Sequence, residues 1–122
     1  MIRDKKIILQ DVQFVNIIED ILTNEKVQEM KKYRQHHKIN CFDHCLFVSY
    51  NAYIICKKHN LDYISTARAA MVHDLFLYDW RKRENGRKGL HAFTHPHRAL
   101  EIASSFLELN DKEKDIILKH MW

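Results

Sequence analysis

Ala69 to Trp80 reads AAMVHDLFLYDW, an apolar run interrupted by one adjacent polar pair, His73 and Asp74. A carboxylate placed in such a run costs several kcal/mol unless something compensates it. The pair is therefore either tied down by hydrogen bonds or faces a cavity that holds a compensating charge, for instance a metal ion. Ala69 and Ala70, just before it, are small enough to let a second helix approach closely. The missing partners have to come from elsewhere in the chain.

The chain around this stretch reads as helix. Only two Gly and one Pro occur in 122 residues, and Gly86, Gly89 and Pro96 sit close together in sequence. A sheet protein of this size needs more turn punctuation. Ile7, Ile8, Phe14, Ile17, Ile18, Ile21 and Leu22 fit one or two amphipathic helices, and Asn24 can cap a further one through Val27 and Met30. The pattern lapses between Tyr33 and Ile39. Asn40 with Asp43 then predicts a helix start, with His44, Val48, Ala52 and Ile55 as its apolar stripe and an end near His59–Asn60. Asp62 caps the next helix, expected to run through Ile64, Ala67, Ala70 and Met71 to about Tyr78. After the loop DWRKRENGRKGLHAF, Thr94 caps a helix with Pro96 in its first turn. Asn110 and Glu113 read as a capping box for a last helix that reaches His120. The expectation is one all-α domain over residues 1–122, a bundle of about five to seven helices.

Composition bounds the function. A hydrophobic fraction of 46% supplies a core, so disorder is not expected. A net charge of +4 and a pI near 9.0 suit an anionic small molecule and are too modest to argue for nucleic acid. No apolar run approaches the ~18–20 residues that a membrane span requires. The acidic residues within and after the short apolar N-terminal patch are unlike a signal peptide. Cys41, Cys45 and Cys56 cannot all pair, which suits a reducing cytoplasm.

Nine histidines are a high load for this length. His44 heads an apolar stripe, His73 is expected within a helix, His95 in a helix's first turn and His120 at the end of the last one. Histidine and carboxylate on converging helices supply the N and O ligands that Zn, Mn or Fe take, and an ion would neutralise Asp74 and reward its burial. Cys41 and Cys45 share a helix face beside His44. Cys56 lies about 16 Å further along a helix at ~1.5 Å per residue, too far for all three thiols to share one ion with Zn–S bonds of ~2.3 Å. They read as buried free thiols.

The segments DHCLFVS, VHDLF, THPHRALEIA and LKHMW, in this order and with 28 residues between His44 and His73, resemble the HD superfamily of metal-dependent phosphohydrolases. The HDLFLYDW and FTHP segments are similar to those of a group of bacterial HD-domain proteins. The resemblance covers roughly Tyr33 to the C-terminus. It implies an all-helical fold in which His44, His73 and Asp74 bind a divalent metal ion (Mn, Fe, Zn, Co, Ni or Mg). In two-metal members Asp74 would bridge, with His95 and His120 on the second ion. The implied reaction is hydrolysis of a phosphate ester in a nucleotide or other small phosphorylated metabolite.

Around those ligands, Asp79 could orient or deprotonate the attacking water. Lys88 and Arg98 are the candidates for phosphate contact, and His37 could reach the site from seven residues before His44. His91 is similar, whereas His36, His59 and His97 read as surface and Trp80 as packing. The family pattern ends with a further Asp beyond the fourth His. This sequence stops at Trp122, and neither Asp111 nor Asp115 matches that position. The expectation is a form lacking its C-terminal helices, or a first site completed by water or a neighbouring copy in a homo-oligomer. Two other functions fit the same residues: a non-catalytic module binding a nucleotide or partner, and an HD-type di-iron oxygenase. Metal content separates them.

Overall fold

A computed structural model describes residues 1–33, 39–75 and 99–119. Helices α1 (Lys5–Leu9), α2 (Val12–Leu22) and α3 (Glu25–Glu29) follow one another at the N-terminus. A single 3₁₀ turn, Met30–Lys32, continues α3. The long α4 (Cys41–Lys58) and α5 (Tyr63–Val72) form the centre, residues 99–104 are helical, and α6 (Asp111–Lys119) closes the bundle. The described residues contain no β-strand, and none of their helices is long and apolar enough to cross a membrane. The chain is all-α.

Side-chain caps set most of the boundaries. Asp4, Asp11, Asn24, Asn40 and Asp62 each accept a hydrogen bond from a backbone N–H in the first turn of α1 to α5, respectively, satisfying donors that a helix start leaves open. The box expected at α6 is formed in both directions: Asn110 Oδ1 accepts from the Glu113 N–H at 2.7 Å, and Glu113 Oε1 accepts from the Asn110 N–H at 2.8 Å. Asn110 also donates from Nδ2 to Ser65 Oγ at 3.0 Å, so the cap ties α6 to α5. Asn110→Ala should therefore cost about 1–2 kcal/mol, the upper part of the range for a lost cap, measured as a lower urea midpoint at an unchanged m-value.

The α4–α5 hairpin positions everything that follows. Asn60 stands at φ 57°, the left-handed conformation that Asn tolerates after a helix end. The Leu61 N–H donates to Cys56 O at 2.8 Å and the Asn60 N–H to Lys57 O at 3.3 Å, a Schellman stop. Asp62 then starts α5 at once. Ser49 Oγ donates to the Ala67 carbonyl at 2.7 Å between the two helices. Ala67 and Ala69 are fully buried, and their missing side-chain bulk lets α5 lie close along α4. At ~1.5 Å per residue, His44 lies about 22 Å from the turn along α4 and Asp74 about 18 Å along the other arm. The hairpin thus returns Asp74 to the level of His44.

Helix α2 packs along α5 and sets Phe14 against α4. Phe14 sits edge-on to Tyr50 at 4.9 Å between ring centroids and tilted against Tyr53 at 5.2 Å. The hydroxyls of both tyrosines stay satisfied, donating to Asp11 Oδ2 and Gln13 Oε1, as buried phenols require. Ile8, Ile18, Ile21, Leu46 and Ile117 complete the same core.

Three sequence expectations change. The stripe His44–Val48–Ala52–Ile55 is a flank of α4: the first three are half-buried and Ile55 is exposed. The buried face runs instead through Cys41, Cys45, Leu46, Ser49 and Tyr53, because α5, the α3–3₁₀ end and the Phe14 ring of α2 all pack on α4 and a wide apolar sector is buried. Second, α5 ends at Val72, so His73 is its C-cap and does not lie within a helix. Ile64, assigned to the apolar run of this helix, is exposed.

Candidate metal centre

The helix end at Val72 shapes the site. The His73 N–H bonds to Ala70 O at 3.4 Å and the Leu75 N–H to Val72 O at 3.2 Å, both three residues back, so the backbone tightens through the His-Asp pair. The His73 ring adds a second contact to the same turn: Nδ1 lies 2.5 Å from Ala70 O. A carbonyl oxygen only accepts, so Nδ1 carries the proton and donates. In the neutral ring Nε2 is then left with its lone pair.

That Nε2 faces Asp74 Oδ2 at 3.3 Å, and His44 Nε2 faces the same oxygen at 3.3 Å. Asp74 and His73 are buried, and the His44 side chain is 22% exposed. The two imidazoles stand 5.5 Å apart between centroids at 53°. One donor atom from each of the three residues lies within 4.8 Å of the others.

Both contacts lie within hydrogen-bonding reach, so direct His–Asp hydrogen bonds are one reading of Asp74. Two ligands at ~2.0–2.1 Å from a tetrahedral ion are separated by ~3.3 Å, so the same two contacts also fit an ion shared by the three residues. The His73 geometry agrees, since a ring that donates through Nδ1 to a carbonyl is the usual way a ligating Nε2 is aimed. Two nitrogens and a buried carboxylate oxygen therefore fit a divalent ion of the Mn, Fe, Co, Ni or Zn kind. His44, at the half-exposed flank of α4, is the member facing the outside. A small cleft beside it is lined by Arg3, Ile39, Phe47 and Val48 together with Met1.

A second group shares Asp74. Cys41 Sγ, Cys45 Sγ and a carboxylate oxygen of Asp74 also lie within 4.8 Å of one another. Both cysteines are free and fully buried. Burial, reinforced by its Cys41 neighbour, pushes the Cys45 thiol well above its ordinary pKa, so Cys45 is held as a thiol at neutral pH. In the sequence Cys41 and Cys45 share one helix face and read as buried free thiols. Their spacing of four, with Asp74 opposite, was the available signal for this group.

The sequence-derived set thus divides. His44, His73 and Asp74 come together. Asp79, His95, His120, Lys88, Arg98 and His37 lie outside the described residues, as do Thr94, Pro96, His91 and Trp80. Arg3 was not singled out by the sequence, because nothing local distinguishes a basic residue near the N-terminus from any solvated one. Comparison of the chain with family models, with curated proteins and with solved structures finds no match. A function has to be argued from this geometry.

Proposed function

We propose that the protein is a metal-dependent phosphohydrolase of the HD type, acting on a nucleotide or another small phosphorylated metabolite. The observation that carries the proposal is the pair of 3.3 Å separations from His44 Nε2 and His73 Nε2 to one Asp74 oxygen, the edge length of a coordination polyhedron. The ordered HD-like segments of the sequence support the same reading. In it His44, His73 and Asp74 hold a divalent ion. Asp79 handles the attacking water, His95 and His120 serve a second ion, and Lys88, Arg98 and His37 meet the substrate.

A divalent ion in such a site supplies a water with its pKa lowered towards ~7 and polarises a phosphoryl oxygen. The chain's own groups do the rest. The Ala70 carbonyl fixes the His73 ring, and burial keeps competing water from Asp74. His44 opens the site to the cleft where Arg3 can take phosphoryl charge.

The test is a screen of nucleotides and phosphorylated metabolites for phosphate release with Mn²⁺, Fe²⁺, Co²⁺, Ni²⁺, Zn²⁺ or Mg²⁺. The expected result is turnover of at least one compound that chelator abolishes and His44→Ala reduces by 10-fold or more. No release from any compound with any of these ions would overturn the proposal, as would turnover that His44→Ala leaves unchanged.

A further inference from the structure

Three sulfur atoms converge behind Asp74. Cys41 and Cys45, one helical turn apart on α4, place both Sγ atoms within 4.8 Å of each other and of an Asp74 carboxylate oxygen. Met30, at the junction of α3 and the 3₁₀ turn, brings Sδ to 3.7 Å from Cys41 Sγ. Met30, Cys41 and Cys45 are all fully buried. Cys41 Sγ is also 3.7 Å from the Asp74 backbone carbonyl.

A buried thiol pair in a core is ordinarily inert filling. Here two features go beyond that. The sulfurs border a carboxylate, which is expensive to bury and gains most from a cation. The spacing also suits one: two sulfur ligands at ~2.3 Å from a tetrahedral ion are ~3.8 Å apart. The Met30–Cys41 separation of 3.7 Å is close to this value, and the two Sγ atoms, within 4.8 Å of each other, reach it with a shift of about an ångström or less. Thiolate and thioether donors select thiophilic ions over the hard cations that oxygen ligands prefer.

We propose that Cys41, Cys45 and Asp74, with Met30 beside them, form a second cation site for a thiophilic d¹⁰ ion of the Zn²⁺ and Cd²⁺ class. Binding replaces two S–H bonds by two metal–sulfur bonds and releases two protons to solvent, with no change of oxidation state. The site is enclosed in the core, which suits a structural ion that joins α4, the α3 end and the Asp74 turn. Asp74 is shared with the His44–His73 pair. A divalent ion on the imidazoles and a thiophilic ion on the sulfurs therefore meet at one carboxylate. The sulfur site does not require the hydrolase reading.

The probe is Cd²⁺ added to the reduced full chain under a phosphine reductant, followed by thiolate-to-cadmium charge-transfer absorption in the ultraviolet. One equivalent should saturate the band. Cys45→Ser should weaken binding by 10-fold or more, and Cys41→Ser/Cys45→Ser should abolish the band, while Cys56→Ser and His44→Ala retain it. Cadmium NMR of the unaltered protein provides a readout independent of how well the variants fold. A resonance in the two-thiolate range is expected. A resonance in the nitrogen/oxygen range alone, no band in the wild-type chain, or a band that Cys56→Ser removes would overturn the proposal. Loss of phosphatase activity with the cadmium band intact would count against the hydrolase and leave this site standing.

Discussion

Asp74→Asn should strip the site of metal while leaving the metal-free protein as stable as before, or more so. The substitution keeps shape and removes one negative charge that is 5% exposed. Burying that charge costs several kcal/mol wherever its surroundings do not fully compensate it. Relief of the cost should hold or raise the melting temperature in chelator. With divalent ion the order inverts. Even supporting residues of metal sites matter by ~10–100-fold in affinity or activity, and a direct anionic ligand should matter at least as much. At an ion concentration of 100 times the dissociation constant, the wild-type chain should gain about 2.7 kcal/mol, and Asp74→Asn should gain almost nothing. Thermal melts of both proteins in chelator and in Mn²⁺ read this directly. A structural aspartate would give the opposite pattern, a variant destabilised in chelator and no differential effect of ion.

Arg68→Ala should be the most destabilising single change on the far side of the bundle, costing about 3–5 kcal/mol. Arg68 on α5 reaches Glu113 of α6 with Nε at 3.1 Å. Its two terminal nitrogens meet Asp20 of α2 at 2.8 and 3.0 Å. It donates to the Ile17 carbonyl at 2.8 Å as well. Glu113 is 3% exposed, so truncation strands a buried carboxylate, and this accounts for most of the cost. Asp20 is more than half exposed, and its share is small after solvent screening.

Arg68→Met/Glu113→Gln should recover most of the loss, because the Gln oxygen can still accept from the Asn110 N–H and no buried charge is left unpaired. The network also has an acid signature. The Arg68 hydrogen bond holds the Asp20 carboxyl below its ordinary 3.8. The resulting stability is present above that value and is lost as the pH falls through the lowered one. Urea midpoints followed downward from pH 5 should show this slope in the wild-type chain and not in Arg68→Ala.

Caps were the most legible part of the fold. Asn24, Asn40, Asp62 and the Asn110–Glu113 box act within four residues of sequence, so local chemistry determines them. Burial was less legible. The stripe His44–Val48–Ala52–Ile55 follows one line along α4, but two neighbouring helices cover that helix and move the inward sector to Cys41, Cys45, Ser49 and Tyr53. The end of α5 was invisible to periodicity because LFLY continues the apolar pattern. The stop comes from three-residue hydrogen bonds at His73 and Leu75, and from the His73 ring itself. In the site, a carboxylate in an apolar run marked Asp74 as needing partners, and it was the HD-like order of segments that paired it with His44 and His73. The thiols read as buried and free because Cys56 lies too far along the helix to share an ion with Cys41 and Cys45, and only the fold shows that Asp74 lies close enough to complete a group with that pair.

The most direct measurement of the metal centre is anomalous X-ray diffraction from crystals of the chain grown with Mn²⁺, with data collected on either side of the manganese absorption edge. An anomalous peak is expected within coordination distance of His44 Nε2, His73 Nε2 and an Asp74 carboxylate oxygen, present in the wild-type chain and absent in Asp74→Asn. A fully hydrated wild-type crystal with no peak at these three residues, and with direct His–Asp hydrogen bonds in its place, would contradict the metal centre.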